Sequence, residues 1–341
     1  MKIACVVGAR PNFMKIAPIS EAIKAYPKIK PILIHTGQHY DYEMSQIFFD
    51  ELEIPKPDVY LGVGSGSHAV QTAKIMIGFE ETVNQYKPEA ILVVGDVNST
   101  LACAIVGAKL CIPVIHVEAG VRSFDRTMPE EINRILTDVV SDLLLTPTEY
   151  ANENLKKEGI SEEKIHLVGD VMVDTLLKYR GKAGSDGILH ELGLTKGYYA
   201  LMTLHRASNV DVKENLSNIL DAINEVQRNI KIVLAIHPRT KVRIKEFELE
   251  EKLSGMENLM VIEPLGYIKF MGLMINAKFV LTDSGGIQTE TTVLNIPCIT
   301  LRENTEHPVT IKQGTNTLVG NDINLIINEC QKILDGKGKS G

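Results

Sequence analysis

Short apolar runs rich in β-branched residues alternate with amphipathic segments along nearly the whole chain. This is the pattern of βα units in parallel sheets. In the first half, the apolar runs predict strands at 3–7, 32–36, 90–94, 114–117, 143–146 and 165–168. Helical periodicity predicts helices between them, near 15–26, 42–52, 68–86, 99–110, 130–142 and 149–158.

Residues 176–197 interrupt this alternation with five glycines among charged residues, and we predict a loop-like linker there. The pattern then resumes with strands at 199–204, 230–236, 260–262, 279–281, 298–300 and 317–319, and with helices near 213–227, 241–253, 268–276, 287–294 and 324–334. The sequence therefore predicts an α/β protein of two Rossmann-like, doubly wound domains, at 1–172 and 173–341. We expect these domains to face a cleft, which is a preferred position for ligand sites.

Charge and cysteine content narrow the class of protein. The net charge of −7 gives no global attraction to nucleic acid or to anionic membranes. The five cysteines form no C-x-x-C pair, so we expect neither a zinc site nor a disulfide framework. The first predicted strand leaves no room for a signal peptide, and no apolar run reaches the length of a membrane span, about 18 residues. We therefore expect a cytoplasmic protein.

The strongest phosphate-binding signal lies at residues 282–290. No G-x-G-x-x-G or P-loop motif occurs, which disfavours hydride-transferring and ATP-hydrolysing enzymes. Here a strand ends, Ser284, Gly285 and Gly286 allow close approach of the backbone, and a helix begins with free N–H groups that suit an anion. Glu290, one helical turn further on, is placed to accept hydrogen bonds from ribose hydroxyls. The alternative is a plain helix cap with glycine for a tight turn.

Basic residues follow three of the predicted strands. Arg10 and Lys15 come after the first strand, where guanidinium and ammonium groups can bind an anion. The alternative is that both are solvated loop cations. In the second half, His205 with Arg206 ends one strand and His237 ends another. With the Ser-Gly-Gly turn, these residues predict a basic pocket opposite an acidic wall.

Three carboxylates make up the acidic wall. Asp96 and Glu118 follow neighbouring strands, at the sheet edge where ligands bind in open α/β proteins. Asp96 has an alternative interpretation as an Asx-turn or helix cap. Glu118 precedes a glycine rather than a helix and has no such alternative. Glu130 opens a helix and forms a capping-box pattern with Thr127. On local grounds Glu118 is therefore the best candidate for catalysis.

Taken together, these motifs resemble those of the non-hydrolysing UDP-N-acetylglucosamine 2-epimerases. The similar segments are, in order, GARPNFMK (8–15), GQH (37–39), GDVNST (95–100), HVEAGVRS (116–123), PEEINR (129–134), LHR (204–206), LTDSGGIQTE (281–290) and RENTEHP (302–308). Each segment alone is weak, but the ordered series covers nearly the whole chain and is highly specific. The resemblance implies the glycosyltransferase-B arrangement, a homodimer, and neither nicotinamide nor metal.

The resemblance also implies roles for individual residues. The catalytic groups would be Asp96, Glu118, Glu130 and His205. UDP would be bound mainly by the second domain, and the residues implied in its binding are Arg10, Lys15, Phe270, Ser284, Gly285, Gly286 and Glu290. Some family members are also activated by UDP-N-acetylglucosamine, at positions that match Gln38, Arg206 and His237.

The implied reaction is reversible epimerisation of UDP-N-acetylglucosamine to UDP-N-acetylmannosamine. Expulsion of UDP from C1 acidifies C2–H, and a carboxylate takes that proton to give a 2-acetamidoglucal. Protonation on the opposite face and return of UDP give the manno sugar. The alternatives are a related UDP-2-acetamido sugar, such as a 2,3-diacetamido uronic acid, a hydrolysing epimerase, a glycosyltransferase, or a non-enzymatic nucleotide-sugar sensor.

Three features depart from the family pattern. Asn12 stands where relatives usually carry Glu, and we expect it at the edge of a loop. His307 stands where they usually carry Arg, which predicts a weaker phosphate or domain-closure contact. Residues 337–341 are not followed by the family's usual terminal segment, which returns to the first domain, so we expect an effect on domain closure.

Overall fold

The contacts within the chain divide it into two units. The structure is a computed structural model that describes residues 1–38 and 42–340; His39 of the GQH motif and the terminal Gly341 lie outside the described residues. Unit 1 is Met1–Thr175 and unit 2 is Leu176–Gly341, whereas the boundary predicted from the sequence followed residue 172.

Unit 1 is built on one parallel seven-stranded sheet. Its strands are β1 (Lys2–Val7), β2 (Lys30–His35), β3 (Val59–Tyr60), β4 (Ala90–Val94), β5 (Val114–Val117), β6 (Leu143–Thr146) and β7 (Ile165–Leu167). Their order is β3-β2-β1-β4-β5-β6-β7. The helices are α1 (Arg10–Lys24), α2 (Tyr42–Glu51), α3 (His68–Tyr86), α4 (Asn98–Lys109), α5 (Pro129–Val140) and α6 (Glu149–Lys157), with a 3₁₀ turn at Glu162–Lys164.

Unit 2 repeats this plan with six parallel strands. They are β8 (Tyr199–Met202), β9 (Lys231–Ala235), β10 (Leu259–Ile262), β11 (Phe279–Thr282), β12 (Cys298–Thr300) and β13 (Asn316–Leu318). Their order is β10-β9-β8-β11-β12-β13. Helix α7 (Val171–Gly184) spans the unit boundary. The remaining helices are α8 (Ile188–Glu191), α9 (Ala207–Val210), α10 (Lys213–Val226), α11 (Pro238–Glu246), α12 (Glu250–Ser254), α13 (Tyr267–Asn276), α14 (Gly285–Val293), α15 (Pro308–Lys312) and α16 (Ile323–Leu334).

The strand order reverses once in each sheet, between β1 and β4 and between β8 and β11. Such a reversal opens a crevice at the carboxyl ends of the strands, where doubly wound proteins bind ligands. The central strands are buried along almost their whole length because helices cover both faces of each sheet. The predicted fold class, two Rossmann-like α/β domains, is confirmed.

The predicted linker at 176–197 is wrong for much of its length. Residues up to Gly184 belong to α7, and a further helical turn, α8, follows. The buried positions of α7 recur every three or four residues, which is the spacing of one helix face: Met172, Leu176, Tyr179 and Ala183. The glycines that suggested a loop, such as Gly181 and Gly184, have open space where a Cβ would lie.

Two helix boundaries also differ from the prediction. Helix α1 begins at Arg10 rather than near residue 15, because Pro11 occupies its first turn, where a missing N–H costs no helical hydrogen bond. The single helix predicted at 241–253 is divided into α11 and α12, since Glu248 adopts a left-handed φ of 58°. No helix within the described residues is long and apolar enough to cross a membrane.

Helix α4 packs directly on the sheet at Gly107. A Cβ there would lie 2.7 Å from Ile91 Cδ1 and 2.8 Å from Val114 Cγ2. We expect Gly107→Ala to lower the free energy of unfolding by about 1–3 kcal/mol, as overpacked cores do, even though alanine favours helices. Urea denaturation measures the change.

Gly78→Ala in α3 is the matched control. A Cβ at Gly78 meets Leu61 at an ordinary 3.6 Å, so helix propensity should raise stability there by up to about 1 kcal/mol. Equal effects of the two substitutions would contradict the close packing of α4 on β4 and β5.

Candidate active site

A buried ion pair lies at the carboxyl end of the unit 1 sheet. Lys15 Nζ in α1 is 2.6 Å from Glu118 Oε2, and the two side chains are 6% and 12% exposed. Glu118 directly follows β5 with a left-handed φ of 73°, and its N–H donates to the carbonyl of Leu145 in β6. The ammonium passes over Gly95, where a Cβ would lie 2.8 Å from Nζ. Glycine at this position therefore gives Lys15 access to the carboxylate.

The surroundings of this pair favour a proton on Glu118. Burial raises the pKa of Glu118, the Lys15 ammonium opposes that rise, and the carboxylates of Asp170 and Asp96 add to it, so the pKa lies above its usual value. Burial lowers the pKa of Lys15, but Glu118 and Asp96 outweigh burial, and that pKa is also raised. Lys15 thus remains an ammonium, and Glu118 is a carboxyl group that holds its proton more tightly than an ordinary glutamate does.

The Asp96 carboxylate binds an arginine and does not cap a helix. Arg134 donates to Asp96 Oδ2 from Nε at 3.0 Å and from Nη2 at 2.6 Å. The Asp96 carbonyl also accepts from Asn133 Nδ2 at 2.8 Å. Val97 is the N-cap of α4, and no side chain caps that helix. The cap interpretation of Asp96 is therefore wrong.

The capping box predicted for Glu130 does not form. The N-cap of α5 is Met128, and Thr127 Oγ1 donates to Asp125 instead. The neighbouring Glu131 has the structural role, since it is buried, accepts from the Phe124 N–H at 2.8 Å and pairs with Arg134 at 2.8 Å. Glu130 itself is half-buried in the first turn of α5.

In unit 2, His205 is oriented by a carboxylate that the sequence reasoning missed. His205 Nδ1 lies 2.8 Å from Oδ1 of Asp283, which is fully buried after β11. Burial raises the pKa of Asp283, but His205 and the backbone N–H groups of Arg206 and His205 outweigh burial and hold it at about 2. Asp283 is therefore a permanent carboxylate that fixes the ring and leaves Nε2 for a ligand. The sequence feature that could have identified Asp283 is its position in the TDSGG motif, one residue before Ser284.

The helix N-terminus next to Asp283 has the form of an anion site. Ser284 is the N-cap of α14, and its side chain makes no capping hydrogen bond. A Cβ at Gly285 would lie 2.4 Å from Glu306 Oε1, so only glycine fits there without a shift of Glu306. Gly286 continues the first turn. The first N–H groups of a helix with such a cap are available to phosphate oxygens.

Two further predicted nucleotide contacts lie within the same unit. Glu290, on α14, is buried and accepts a hydrogen bond at 2.8 Å from the Tyr267 hydroxyl. Phe270 is also buried and belongs to α13, the same helix as Tyr267. The Tyr267–Glu290 hydrogen bond thus links α13, which carries Phe270, to α14, which carries Glu290.

The other predicted binding residues divide between the units. In unit 1, the Arg10 guanidinium lies 5.2 Å from the centre of the Phe48 ring, and Gln38 Oε1 accepts from Ser99 N–H at 2.9 Å. In unit 2, Arg206 lies 3.4 Å from Glu306, and the His237 ring is 5.5 Å from that of His205.

Asn12 and His307, the two residues that differ from the family pattern, both have defined surroundings in the structure. Asn12 is buried rather than at a loop edge, so that expectation is wrong: its Oδ1 accepts from Gly8 and Ala9 N–H groups, and its Nδ2 donates to the Val94 carbonyl at 2.9 Å. His307 is the N-cap of α15, and its Nε2 would lie 3.6 Å from a Cβ at Gly285.

Two parallel-sheet α/β units of this kind form the fold of glycosyltransferase-B-like epimerases. Residues 21–340 match the family model described as UDP-N-acetylglucosamine 2-epimerase, and the chain belongs to this family. The prediction of the UDP-N-acetylglucosamine 2-epimerase family is confirmed.

Individual relatives match over most of their length. A protein of Methanococcus maripaludis named UDP-N-acetylglucosamine 2-epimerase homolog is 50% identical, over 97% of this chain and 92% of its own. A UDP-2,3-diacetamido-2,3-dideoxy-D-glucuronate 2-epimerase of Pseudomonas aeruginosa is 43% identical, over 98% and 92%. The structure of Methanocaldococcus jannaschii UDP-GlcNAc 2-epimerase in complex with UDP-GlcNAc and UDP has a TM-score of 0.94 at 45% identity, with 100% of this chain and 95% of that chain covered.

The Lys15–Glu118 pair predicts a pH-dependent effect of Lys15→Met. Loss of one partner leaves a buried, unpaired carboxylate, which costs about 3–5 kcal/mol of unfolding free energy. The folded pKa of Glu118 lies above its unfolded value, so the folded state holds the proton more tightly. The variant should therefore be nearest to wild-type stability at acidic pH and lose stability as the pH rises through that raised pKa.

Urea denaturation across the pH range measures this difference. Lys24→Met is the matched control, because Lys24 and Glu21 form an exposed pair at 3.4 Å and its loss should cost less than about 1 kcal/mol at any pH. A pH-independent loss for Lys15→Met would show that Lys15 contributes by packing rather than by its charge.

Proposed function

We propose that this protein reversibly epimerises UDP-N-acetylglucosamine at C2 to UDP-N-acetylmannosamine, without net hydrolysis. The observation that carries the proposal is the state of Glu118. This carboxyl group is buried at a strand end, is paired with Lys15, and has a pKa that burial and the charge of Asp96 help to raise. C2 epimerisation needs such a proton-transfer group, since C2–H must be removed and restored. A glycosyltransferase would need an acceptor, and three carboxylates at strand ends would be more than it uses, whereas a sensor needs no proton-transfer group.

In this proposal unit 2 binds the nucleotide. The diphosphate meets the N-terminus of α14 at Ser284, Gly285 and Gly286, together with His205. Arg10 and Lys15 stay predicted binding residues. Glu290 accepts from the ribose hydroxyls, and Phe270 borders the uracil. The buried Asp283 supports this role of His205, because it keeps the ring in one orientation with Nε2 directed away from the carboxylate.

The reaction proceeds by elimination and addition. The C1–O bond breaks, its electron pair leaves with UDP, and the positive charge that develops on the ring acidifies C2–H. A carboxylate takes the C2 proton, and the C–H electron pair forms the C1–C2 double bond of 2-acetamidoglucal. A second carboxyl group then protonates C2 on the opposite face as UDP returns to C1. Glu118, Asp96 and Glu130 are the groups we assign to these two transfers.

A second substrate is favoured by one specific observation. The Pseudomonas relative at 43% identity is named for a UDP-2,3-diacetamido uronate. Its chemistry at C1 and C2 is the same, and only the C3 and C6 substituents differ. The homodimer and the activation through Gln38, Arg206 and His237 stay predictions.

Incubation with UDP-N-acetylglucosamine in deuterium oxide tests the proposal. We expect NMR to show deuterium at C2 of intact UDP-sugars of both configurations. Free N-acetylmannosamine and UDP would instead indicate a hydrolysing epimerase. Absence of exchange with this sugar, but exchange with the diacetamido uronate, would assign the second substrate. Absence of exchange with both would refute C2 epimerisation.

Glu118→Gln tests the group on which the proposal rests. The amide keeps the shape and can still accept from Lys15, but it cannot carry the C2 proton. We expect the exchange rate to fall about 10²- to 10⁴-fold, the usual contribution of general acid–base catalysis, while UDP binding measured by calorimetry is retained.

Glu21→Gln, at an exposed position of α1, is the control and should leave both quantities unchanged. Loss of UDP binding in Glu118→Gln would mean that Glu118 supports the structure rather than the proton transfer.

A further inference from the structure

We propose that His116 is a positioning residue for the acid–base groups of the function proposed above. In this role its ring carries protons on both nitrogens and links the turn that bears Asp96 to Asp138, which also holds the turn after Glu118. The inference rests on the proposed function for its effect on catalysis. The protonation of the ring can be tested without any substrate.

The hydrogen bonds of His116 determine how many protons it carries. The side chain is fully buried in β5, with Nδ1 2.6 Å from Asp138 Oδ1 and Nε2 2.8 Å from the Gly95 carbonyl oxygen. A carbonyl oxygen can only accept a hydrogen bond, and so can an ionised carboxylate. A neutral imidazole has one N–H and would leave one of these two contacts without a proton. Both bonds form together only in an imidazolium.

Asp138 is ionised in this arrangement. Its Oδ2 lies 2.7 Å from Arg122 Nη2 and also accepts from the Gly120 N–H at 3.1 Å. Both oxygens of Asp138 are thus occupied as acceptors, and the proton of the short His116 contact belongs to the ring.

Arg122 also holds Asp138. Its guanidinium is 1% exposed, lies 2.7 Å from Asp138 Oδ2, and donates to Glu158 from Nε and Nη2 at 2.8 and 2.7 Å. Glu158 itself is exposed, so the buried carboxylate of this cluster is Asp138, which His116 and Arg122 both contact.

This cluster fixes both catalytic turns. The Gly95 carbonyl that His116 holds belongs to the residue before Asp96, at a left-handed φ of 68°. The Gly120 N–H that Asp138 holds lies two residues after Glu118, in the same turn. One ion pair thus spans the two neighbouring strand ends. Displacement of a catalytic group by about 1 Å can cost about 100-fold in rate, so this link bears directly on proton transfer.

Ring-nitrogen NMR of the full chain measures the proton count. In protein labelled with ¹⁵N in its histidine rings, we expect one buried histidine to show N–H protons on both ring nitrogens. The signal should vanish in His116 variants. It should change to a single N–H in Asp138→Asn, because the amide can donate to Nδ1. One N–H on His116 in the wild-type protein would overturn the inference.

Two substitutions separate the contacts of the ring. The amide nitrogen of His116→Gln lies near the position of Nε2 and can still donate to Gly95, whereas that of His116→Asn lies near Nδ1 and donates only to Asp138. We expect the rate of C2 exchange to fall about 100-fold in His116→Asn and distinctly less in His116→Gln. The loss should be in kcat, and the affinity for UDP should be unchanged. His166→Gln, at an exposed position of β7, is the control and should match the wild type.

The outcomes distinguish this inference from the proposed function. If C2 exchange fell equally in His116→Gln and His116→Asn, or in neither, this would overturn the inference that His116 positions the acid–base groups through the Gly95 carbonyl. If His116→Asn does not fold, Asp138→Asn supplies the comparison, since it should keep the Gly95 contact and most of the exchange. If wild-type protein exchanges no C2 proton, the proposed function fails and so does the assigned effect on catalysis, while the doubly protonated ring is still decided by NMR.

Discussion

The burial of charge at the carboxyl ends of the two sheets is the constraint on which the rest of this structure depends. A buried ion costs several kcal/mol unless a partner and hydrogen bonds compensate for it. The Lys15–Glu118 pair meets this condition at 2.6 Å, and the surrounding backbone is shaped to permit it. Helix α1 starts at Arg10, so that Lys15 lies one turn inside it, and Gly95 leaves space for the ammonium. The ion pair therefore depends on both the start of α1 at Arg10 and the glycine at position 95.

The same condition recurs at three further carboxylates. Arg134 holds Asp96, Arg122 and His116 hold Asp138, and His205 holds Asp283. In each case the partner comes from a different element, so the ion pair that compensates for burial also fixes the angle between a turn and its neighbour. Stability and the placement of reactive groups therefore depend on the same contacts. This explains why a carboxylate without direct chemistry, such as Asp283, is as deeply buried as the residues of the core.

Local patterns predicted what depends on local sequence. The strands of both sheets and most helices follow from runs and periods of apolar residues, and the candidate carboxylates follow from their positions after strands. The capping box at Thr127 failed because Asp125 competes for the same hydroxyl. Asp283 and Arg134 were missed because their partners, His205 and Asp96, lie on other elements. The linker at 176–197 was misjudged because glycine content was given more weight than the buried face of α7.

The direction of the shift in the Glu118 pKa shows why the protonation of such a site cannot be predicted from amino-acid composition. Contact with an ammonium normally favours the charged carboxylate, yet burial and two further carboxylates, Asp170 and Asp96, outweigh Lys15. The local excess of acidic groups, rather than the net charge of −7, raises the affinity for one more proton. Because Lys15 stays charged under the same influence, that proton belongs to the carboxylates. A group that must receive and return a hydrogen at carbon is served by a carboxyl group whose pKa is raised in this way.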